Sequence, residues 1–142
     1  MNILQGKNIF DVEGKVVLVT GAATGLGEGY AHIFAESGCK VACADINEEQ
    51  VKQTAEDIRS QGGEAAAFVV DVTRQESIKG MVKAILETYG RIDVLVNNAG
   101  VEHIEPFVEV SEKHYDFITG VNLKGVFFVA QEVAKVMKAN GG

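Results

Sequence analysis

The chain has 142 residues, 46% hydrophobic and 23% charged, a composition that suits one globular domain with its own core. Its formal net charge of −7 argues against nucleic-acid binding, because an acidic surface repels phosphate backbones. No apolar run approaches the ~20 residues of a membrane-spanning helix, and the first residues do not resemble a secretory signal. We therefore expect a cytoplasmic protein that binds neither membranes nor nucleic acid.

Short apolar runs alternate with longer amphipathic segments along the chain. The first half predicts a strand at Lys15–Thr20, a helix from about Gly25 to Ser37, a strand at Lys40–Asp45, a helix from Asn47 to Gly62, and a strand at Ala65–Val70. The second half predicts a helix from Thr73 to Gly90, a strand at Ile92–Val96, a long loop from Asn97 to about Val110, and a helix from Ser111 to about Ala139.

Local signals refine these elements. Asn47 with Gln50, and Thr73 with Glu76, have the spacing of capping boxes at helix starts. The two cysteines, Cys39 and Cys43, fall in the predicted second strand, where we expect buried, reduced thiols.

The order βαβαβαβα predicts a fold class of α/β type. Strands that are apolar throughout belong in a parallel sheet covered by helices on both faces. We predict a Rossmann-like, doubly wound parallel sheet with strand order 3-2-1-4. A fifth strand would begin just after residue 142, so we expect residues 1–142 to be one domain truncated after about four strands.

A glycine-rich turn follows the first strand and opens the first helix. Thr20 to Gly27 reads TGAATGLG, with glycines at positions 21, 25 and 27. Such a turn can bring backbone N–H groups and a helix N-terminus against a pyrophosphate, and side chains at these positions would block it. A Walker phosphate loop is excluded, because no Gly-Lys-Ser/Thr follows. A glycine-rich turn without a ligand remains the alternative.

Asp45 ends the second strand, 18 residues after Gly27. A carboxylate at this position can accept both ribose hydroxyls of a dinucleotide and would repel a 2′-phosphate. Positions 22, 23, 24 and 46 carry no Arg or Lys to bind such a phosphate. The residues therefore favour NAD over NADP. A solvated carboxylate at a strand end is the alternative for Asp45.

Four segments in register resemble the short-chain dehydrogenase/reductase family. They are TGAATGLG at 20–27, Asp71-Val72 after the third strand, Asn97-Asn98-Ala99-Gly100 after the fourth, and Asn122 within VNLKG at 121–125. The resemblance covers the chain from about Lys15 to its end. Four segments with matching order and spacing are far more specific than any one of them.

The resemblance implies a role for each matching position. It implies NAD binding by Gly21, Thr24, Gly25, Leu26, Gly27, Asp45, Ile46, Asp71, Val72, Asn98, Ala99, Gly100 and Val121. Asp71 is expected to accept from the adenine amino group, and Asn98–Gly100 to run under the nicotinamide ribose. Asn97 is expected to tie neighbouring strands together. Asn122 is expected to be catalytic, to kink its helix and to hold a water in a proton relay, although a tolerated helix irregularity is the alternative.

The resemblance implies NAD-linked interconversion of a secondary alcohol and a ketone. We also expect a small-molecule substrate and a homo-oligomer. The family's catalytic serine and Tyr-x-x-x-Lys are not found in this chain. Four residues after its three tyrosines come Phe34, Asp93 and Thr119, none of which is lysine. We therefore expect the chain alone to bind cofactor but to be inactive, and the substrate cannot be chosen from it.

Three hypotheses stay open: a truncated enzyme, one half of a split enzyme whose C-terminal half is another chain, or a non-catalytic NAD-binding module. An uncovered fourth strand and final helix predict self-association, or loss of local order near Asn97–Gly100.

Glu102, His103 and Glu105 crowd the loop after Gly100. We favour a solvated loop, then substrate contact, and least a metal, because the spacing fits no common ligand pattern. We accordingly predict no metal. His32 and His114 lie in predicted helices and are interpreted as structural. The aromatic residues of the last helix are expected in a core or an interface: Tyr115, Phe117, Phe127 and Phe128.

Overall fold

The computed structural model describes residues 11–141 of the chain. The strands are β1 (Val16–Thr20), β2 (Lys40–Asp45), β3 (Glu64–Val69) and β4 (Val94–Val96). The helices are α1 (Gly25–Glu36), α2 (Glu48–Ser60), α3 (Gln75–Tyr89), α4 (Glu112–Thr119) and α5 (Val126–Ala139). The sheet is parallel with the order β3-β2-β1-β4. This confirms the predicted Rossmann-like α/β class and the strand order 3-2-1-4.

The sheet buries both of its faces, as the continuous apolar runs predicted. Successive side chains of β1 point to opposite faces, so Leu18 packs against α3 and α5, whereas Val17 and Val19 pack against α1 and α2. The first of these two core clusters includes Ile85 and Val129. All four strands therefore end at one edge of a rigid, two-sided core.

The capping residues predicted at the helix starts are only partly confirmed. Asn47 caps α2 through its side chain, but Thr73 does not cap α3, whose N-cap is Arg74 without a side-chain bond. The predicted capping box of Thr73 and Glu76 is therefore wrong. The Thr73 side chain donates to Asp71 instead, because the carboxylate two residues earlier is a stronger acceptor within reach.

The cysteines are buried free thiols, as predicted, although Cys39 lies just before β2. Burial raises the pKa of the Cys43 thiol to about 12. A thiol with that pKa stays protonated at neutral pH and is a poor nucleophile.

The final helix is interrupted by a π-helical segment, Gly120–Gly125, between α4 and α5. Residues at the joints keep right-handed helical dihedrals, so the chain continues as one rod with a local widening. A short 3₁₀ turn, Phe107–Glu109, interrupts the predicted loop before α4. π-helical segments concentrate at functional sites, and this one contains Asn122.

Among residues 11–141, no helix combines the length and the apolar character needed to cross a bilayer.

Candidate functional site

A cleft of about 380 Å³ lies where the strands end and the helices begin. Clefts at this edge of an open parallel sheet, beside the point where strand order reverses, are the usual ligand sites of such folds. Eight predicted cofactor residues line it: Gly21, Asp45, Ile46, Asp71, Val72, Ala99, Gly100 and Val121. Four further lining residues were not predicted from the sequence: Val70, Thr73, Val101 and Phe117.

The glycine turn packs against the turn that follows β4. Gly21 has a φ of +69°, and a Cβ there would lie 2.9 Å from the Ala99 Cα. A Cβ on Gly27 would overlap the carbonyl oxygen of Gly21 and approach the Asn98 side chain to 2.6 Å. Only glycine lets these two backbones approach so closely. Gly25 faces open space instead, which leaves the start of α1 accessible to a ligand.

Thr20 connects the two turns. Its side chain is fully buried, and its hydroxyl accepts from the backbone N–H groups of Asn98 and Ala99, both at 3.1 Å. The Asn98 side chain donates back to the carbonyls of Thr20 (3.0 Å) and Gly21 (3.2 Å). These four bonds fix the turn after β4 against the glycine turn.

The structure corrects the role predicted for Asn97. Asn98, rather than Asn97, ties the ends of neighbouring strands, whereas the Asn97 side chain donates to the Val126 carbonyl at the start of α5 (2.8 Å). The sequence did not reveal Thr20 as the hub of this network. The signal was a hydroxyl residue ending a buried strand, where a buried polar group needs partners.

Asp45 organises the edge of the cleft. One carboxylate oxygen accepts from the Ala23 N–H of the glycine turn (3.1 Å), and the other from the Asn47 N–H at the start of α2 (2.9 Å). A carboxylate offers about four lone-pair sites, so two backbone bonds leave room for ligand hydroxyls. Asp45 therefore fixes the glycine turn and also carries negative charge into the cleft.

Asp71 lies across the cleft from the glycine turn. Its Oδ1 accepts from the Thr73 backbone N–H (2.9 Å) and hydroxyl (2.6 Å). Its own N–H donates to the Ser77 hydroxyl (2.9 Å). Val72 packs against the π-helical segment, where a Cβ on Gly125 would come within 2.9 Å of its side chain. Both predicted residues are thus positioned by short local bonds and by packing.

The remaining predicted residues do not line the cleft: Thr24, Gly25, Leu26, Gly27, Asn98 and Asn122. Thr24 is the N-cap of α1 and makes no side-chain cap bond, so no side chain blocks the first N–H groups of the helix. Free N–H groups at a helix start, next to a cleft, are suited to binding an anion.

Asn122 clamps the start of the loop after Gly100. Its Oδ1 accepts from the Val101 N–H and its Nδ2 donates to the Val101 carbonyl, both at 2.8 Å. The side chain is therefore a positioning group for Val101, which itself lines the cleft. The role of Asn122 in a proton relay stays a prediction.

The loop after Gly100, which carries Glu102, His103 and Glu105, folds back onto α4. His103 and Glu105 meet His114, whereas Glu102 is outside the cluster. No local pattern indicates this contact, because His114 is nine residues from Glu105 and lies on a different element. His114 is thus part of a side-chain cluster, beyond the purely structural role expected of it.

The aromatic residues of the last helix are mostly exposed. Tyr115, Phe117 and Phe127 lie at the surface, and Phe128 packs partly against the core. Phe117 also lines the cleft. Within residues 11–141 the structure places only Phe128 of the four in the core; whether the others lie in an interface stays a prediction.

Comparison with known proteins identifies the scaffold. The family model described as short chain dehydrogenase matches residues 15–142. An uncharacterized oxidoreductase of Thermotoga maritima is 46% identical over 92% of this chain and 51% of its own length. A sorbitol dehydrogenase of Cereibacter sphaeroides is 41% identical over 92% and 50%.

The structure of a short chain dehydrogenase/reductase from Burkholderia phymatum, in complex with NAD, superposes with a TM-score of 0.90. It is 30% identical, over 94% of this chain and 48% of that one. The chain spans about half the length of the curated relatives it matches. The family match over residues 15–142, together with the sheet order and the cleft, shows that this chain belongs to the short-chain dehydrogenase family.

Proposed function

We propose that this chain is the NAD-binding part of an oxidoreductase that interconverts a secondary alcohol and a ketone. The observation that carries the proposal is a cleft lined by the Asp45 carboxylate and by Gly21 of the glycine turn that leads into α1. Together they offer a ribose acceptor and an anion site. The NAD complex of the Burkholderia phymatum relative supports the choice of ligand.

The residues present fit a dinucleotide. Val70, Val72 and Ile46 give the cleft an apolar wall next to Asp71, as a purine with an exocyclic amino group requires. The open space at Gly25 leaves the first turn of α1 free for a pyrophosphate. Ala99 and Gly100 line the other end, where the nicotinamide ribose would lie.

The carboxylate of Asp45 is the reason for proposing NAD rather than NADP. A 2′-phosphate would bring two negative charges against it. The nearby positions 22–24 and 46 supply no cation to offset them.

Bound NAD would supply hydride transfer, and the chain's own residues would hold the cofactor and shape the site. Thr20 and Asn98 fix the turn under the nicotinamide end. Asn122 positions Val101 at the border of the cleft. The catalytic serine and the Tyr-x-x-x-Lys would come from sequence outside this chain, so we propose that residues 1–142 alone do not turn over substrate.

Two alternatives follow from the half-length coverage. The missing residues could be supplied by a separate chain, or the module could bind NAD without catalysis. We favour the enzyme, because the matched relatives are named as dehydrogenase and oxidoreductase. A homo-oligomer and a cytoplasmic location stay predictions from the sequence.

Calorimetric titration with NAD⁺ and with NADP⁺ tests the cofactor assignment. We expect NAD⁺ to bind at least about tenfold more tightly, a difference of about 1.4 kcal/mol. Asp45→Asn should reduce that preference, because it removes the charge and keeps the shape. Glu48→Gln is the matched control, since it removes an exposed charge three residues away and should leave the ratio unchanged.

Equal affinity for both cofactors would contradict the role of Asp45, and failure of both to bind would contradict cofactor binding by this chain. A matched activity assay follows NADH absorbance with a panel of secondary alcohols. The isolated chain should give no turnover, and measurable turnover would show that the catalytic groups lie within residues 1–142.

A further inference from the structure

Outside the cofactor cleft, three metal-ligating side chains converge at the base of the loop before α4. The two oxygens of Glu105 face one histidine each: Oε1 lies 2.9 Å from the Nδ1 of His114, and Oε2 lies 3.5 Å from the Nε2 of His103. The two imidazole rings lie 3.8 Å apart between centroids. One ligand atom from each residue lies within 4.8 Å of the other two.

The cluster has the chemistry of a transition-metal site. Two imidazole nitrogens and one carboxylate oxygen are a ligand set that zinc-class ions accept, whereas magnesium and calcium prefer oxygen alone. A divalent ion would satisfy all three groups together.

The geometry is close to what a bound ion requires. Ligand atoms about 2.1 Å from a tetrahedral ion lie roughly 3.4 Å apart. The ligand atoms here lie within 4.8 Å of one another, so the widest separation must shrink by at most about 1.4 Å. The His114 backbone is fixed, because its N–H donates to the Ser111 side chain that caps α4. His103 is exposed on a loop and free to close the remaining distance.

The surroundings hold the carboxylate in place. Glu105 is the least exposed of the three side chains, at 18%, and it precedes Pro106, which restricts its backbone to extended conformations. The other end of the same loop is clamped at Val101 by Asn122. An ion here would join the free part of the loop to α4.

We propose that His103, Glu105 and His114 bind one divalent transition-metal ion of the zinc class, with a fourth position open to solvent. The ion ties the loop after Val101 to the first turn of α4. This site shares no residue with the lining of the cofactor cleft, so it does not depend on the proposed NAD function.

The test uses the full chain without an affinity tag, freed of metal by a chelator. Zn²⁺ is titrated by calorimetry, and Co²⁺ is added to record its visible absorption, which reports nitrogen and oxygen ligands in tetrahedral geometry. We expect one ion per chain, and we expect excess Mg²⁺ not to displace it.

His103→Ala and His114→Ala should each weaken Zn²⁺ binding at least about tenfold, since loss of even an outer-shell partner costs roughly that much. The third histidine of the chain, His32 on α1, provides the matched control, and His32→Ala should bind like the parent. Far-ultraviolet circular dichroism checks that each variant folds; where His103→Ala does not, His103→Gln replaces it.

Thermal melting is the second readout. Zn²⁺ should raise the melting temperature of the parent and of His32→Ala, but not that of His114→Ala, because only an ion bound to the folded state stabilises it. No saturable one-ion binding by the parent would overturn the proposal. So would binding that both His103→Ala and His114→Ala leave intact.

Discussion

The turn after β4 and the loop that continues it are adjacent in sequence but differ in how the chain holds them. In the turn, Thr20 and Asn98 exchange bonds with backbone groups on both sides, and the packed glycines leave no room for movement. In the loop, the side chains of Ile104 and Phe107 are 88% and 91% exposed. The chain therefore builds the floor of the cleft by itself and leaves the adjoining surface uncovered.

The difference indicates which part of the site is preorganised. A ligand that binds to the turn need not order it, because buried bonds have already done so. A ligand or a further protein surface that covers the loop would gain apolar contacts that are absent here. Variants that break the turn should therefore cost more than variants in the loop.

The largest effect should come from Gly27→Ala, because the new methyl group overlaps the Gly21 carbonyl. We expect the free energy of unfolding to fall by about 3 kcal/mol and NAD⁺ affinity to be lost with the shape of the turn. Urea unfolding and calorimetry measure the two effects. Gly29→Ala, on the same helix with open space at its Cβ, should gain up to about 1 kcal/mol from helix propensity. Equal behaviour of the two variants would refute the close packing of the turn.

Thr20→Val should come next, because it keeps the volume but removes the acceptor of the part-buried Ala99 N–H and one of the two acceptors of the Asn98 N–H, which keeps the Val96 carbonyl. We expect a loss of about 2 kcal/mol in unfolding free energy. Thr54→Val is the control, since that buried hydroxyl only donates to carbonyls and its loss should cost about 1 kcal/mol or less. If Thr54→Val proved the more damaging, the Thr20 hub would not hold the turn.

Asp93→Asn should weaken the hydrogen bond between the Val16 N–H of β1 and the side chain just before β4. Burial alone would raise the pKa of this carboxyl, but the Val16 N–H and Arg91 more than offset it, so the pKa lies below its ordinary value. A carboxyl whose pKa is lowered in the folded state stabilises the fold at pH values above its ordinary pKa. That stability is lost as the pH falls through the pKa of the folded state.

We therefore expect Asp93→Asn to cost about 1.5 kcal/mol at neutral pH and to flatten the acid limb of the stability curve. Denaturant unfolding from neutral to acidic pH measures both effects. Asp116→Asn, at an exposed position on α4, should leave the curve unchanged. An acid limb that is the same in the parent and in Asp93→Asn would contradict the assignment.

The smallest effect on stability should follow Phe107→Ser. An exposed side chain contributes little to folding, so we expect a change within about 0.5 kcal/mol. The sequence predicts self-association from an uncovered fourth strand and final helix. We expect the same variant to reduce it, because Phe107 adds an exposed aromatic side chain to the surface. Sedimentation velocity of parent and variant measures this, and a parent that remains monomeric at all concentrations would remove the basis for that prediction.

The fold was well predicted from the sequence because the apolar patterns that indicate strands and helices repeat along each element. Continuous apolar strands, amphipathic helices and right-handed crossovers together led to the order 3-2-1-4, and the structure confirms it. Short-range signals were weaker. The spacing of Thr73 and Glu76 fits a capping box, but the neighbouring carboxylate of Asp71 binds the Thr73 hydroxyl.

The candidate site was predictable where backbone shape decides the residue, as at Gly21 and Gly27. It was less predictable where distant segments meet. The pairing of Thr20 with Asn98 spans 78 residues, and the contact of Glu105 with His114 depends on how an irregular loop folds back. Neither has a spacing rule that a single sequence could reveal.

Hydrogen exchange of the cofactor-free chain tests whether the turn after β4 is ordered before the cofactor binds. If the turn is preorganised, the amides of Asn98 and Ala99 should exchange only through global unfolding, and the amides of Ile104 and Val108 should exchange many times faster. Adding NAD⁺ should then slow Asn98 and Ala99 no more than it slows the core amides of β1. Exchange at Asn98 and Ala99 as fast as in the loop, with protection appearing only when NAD⁺ binds, would show that the turn is not preorganised.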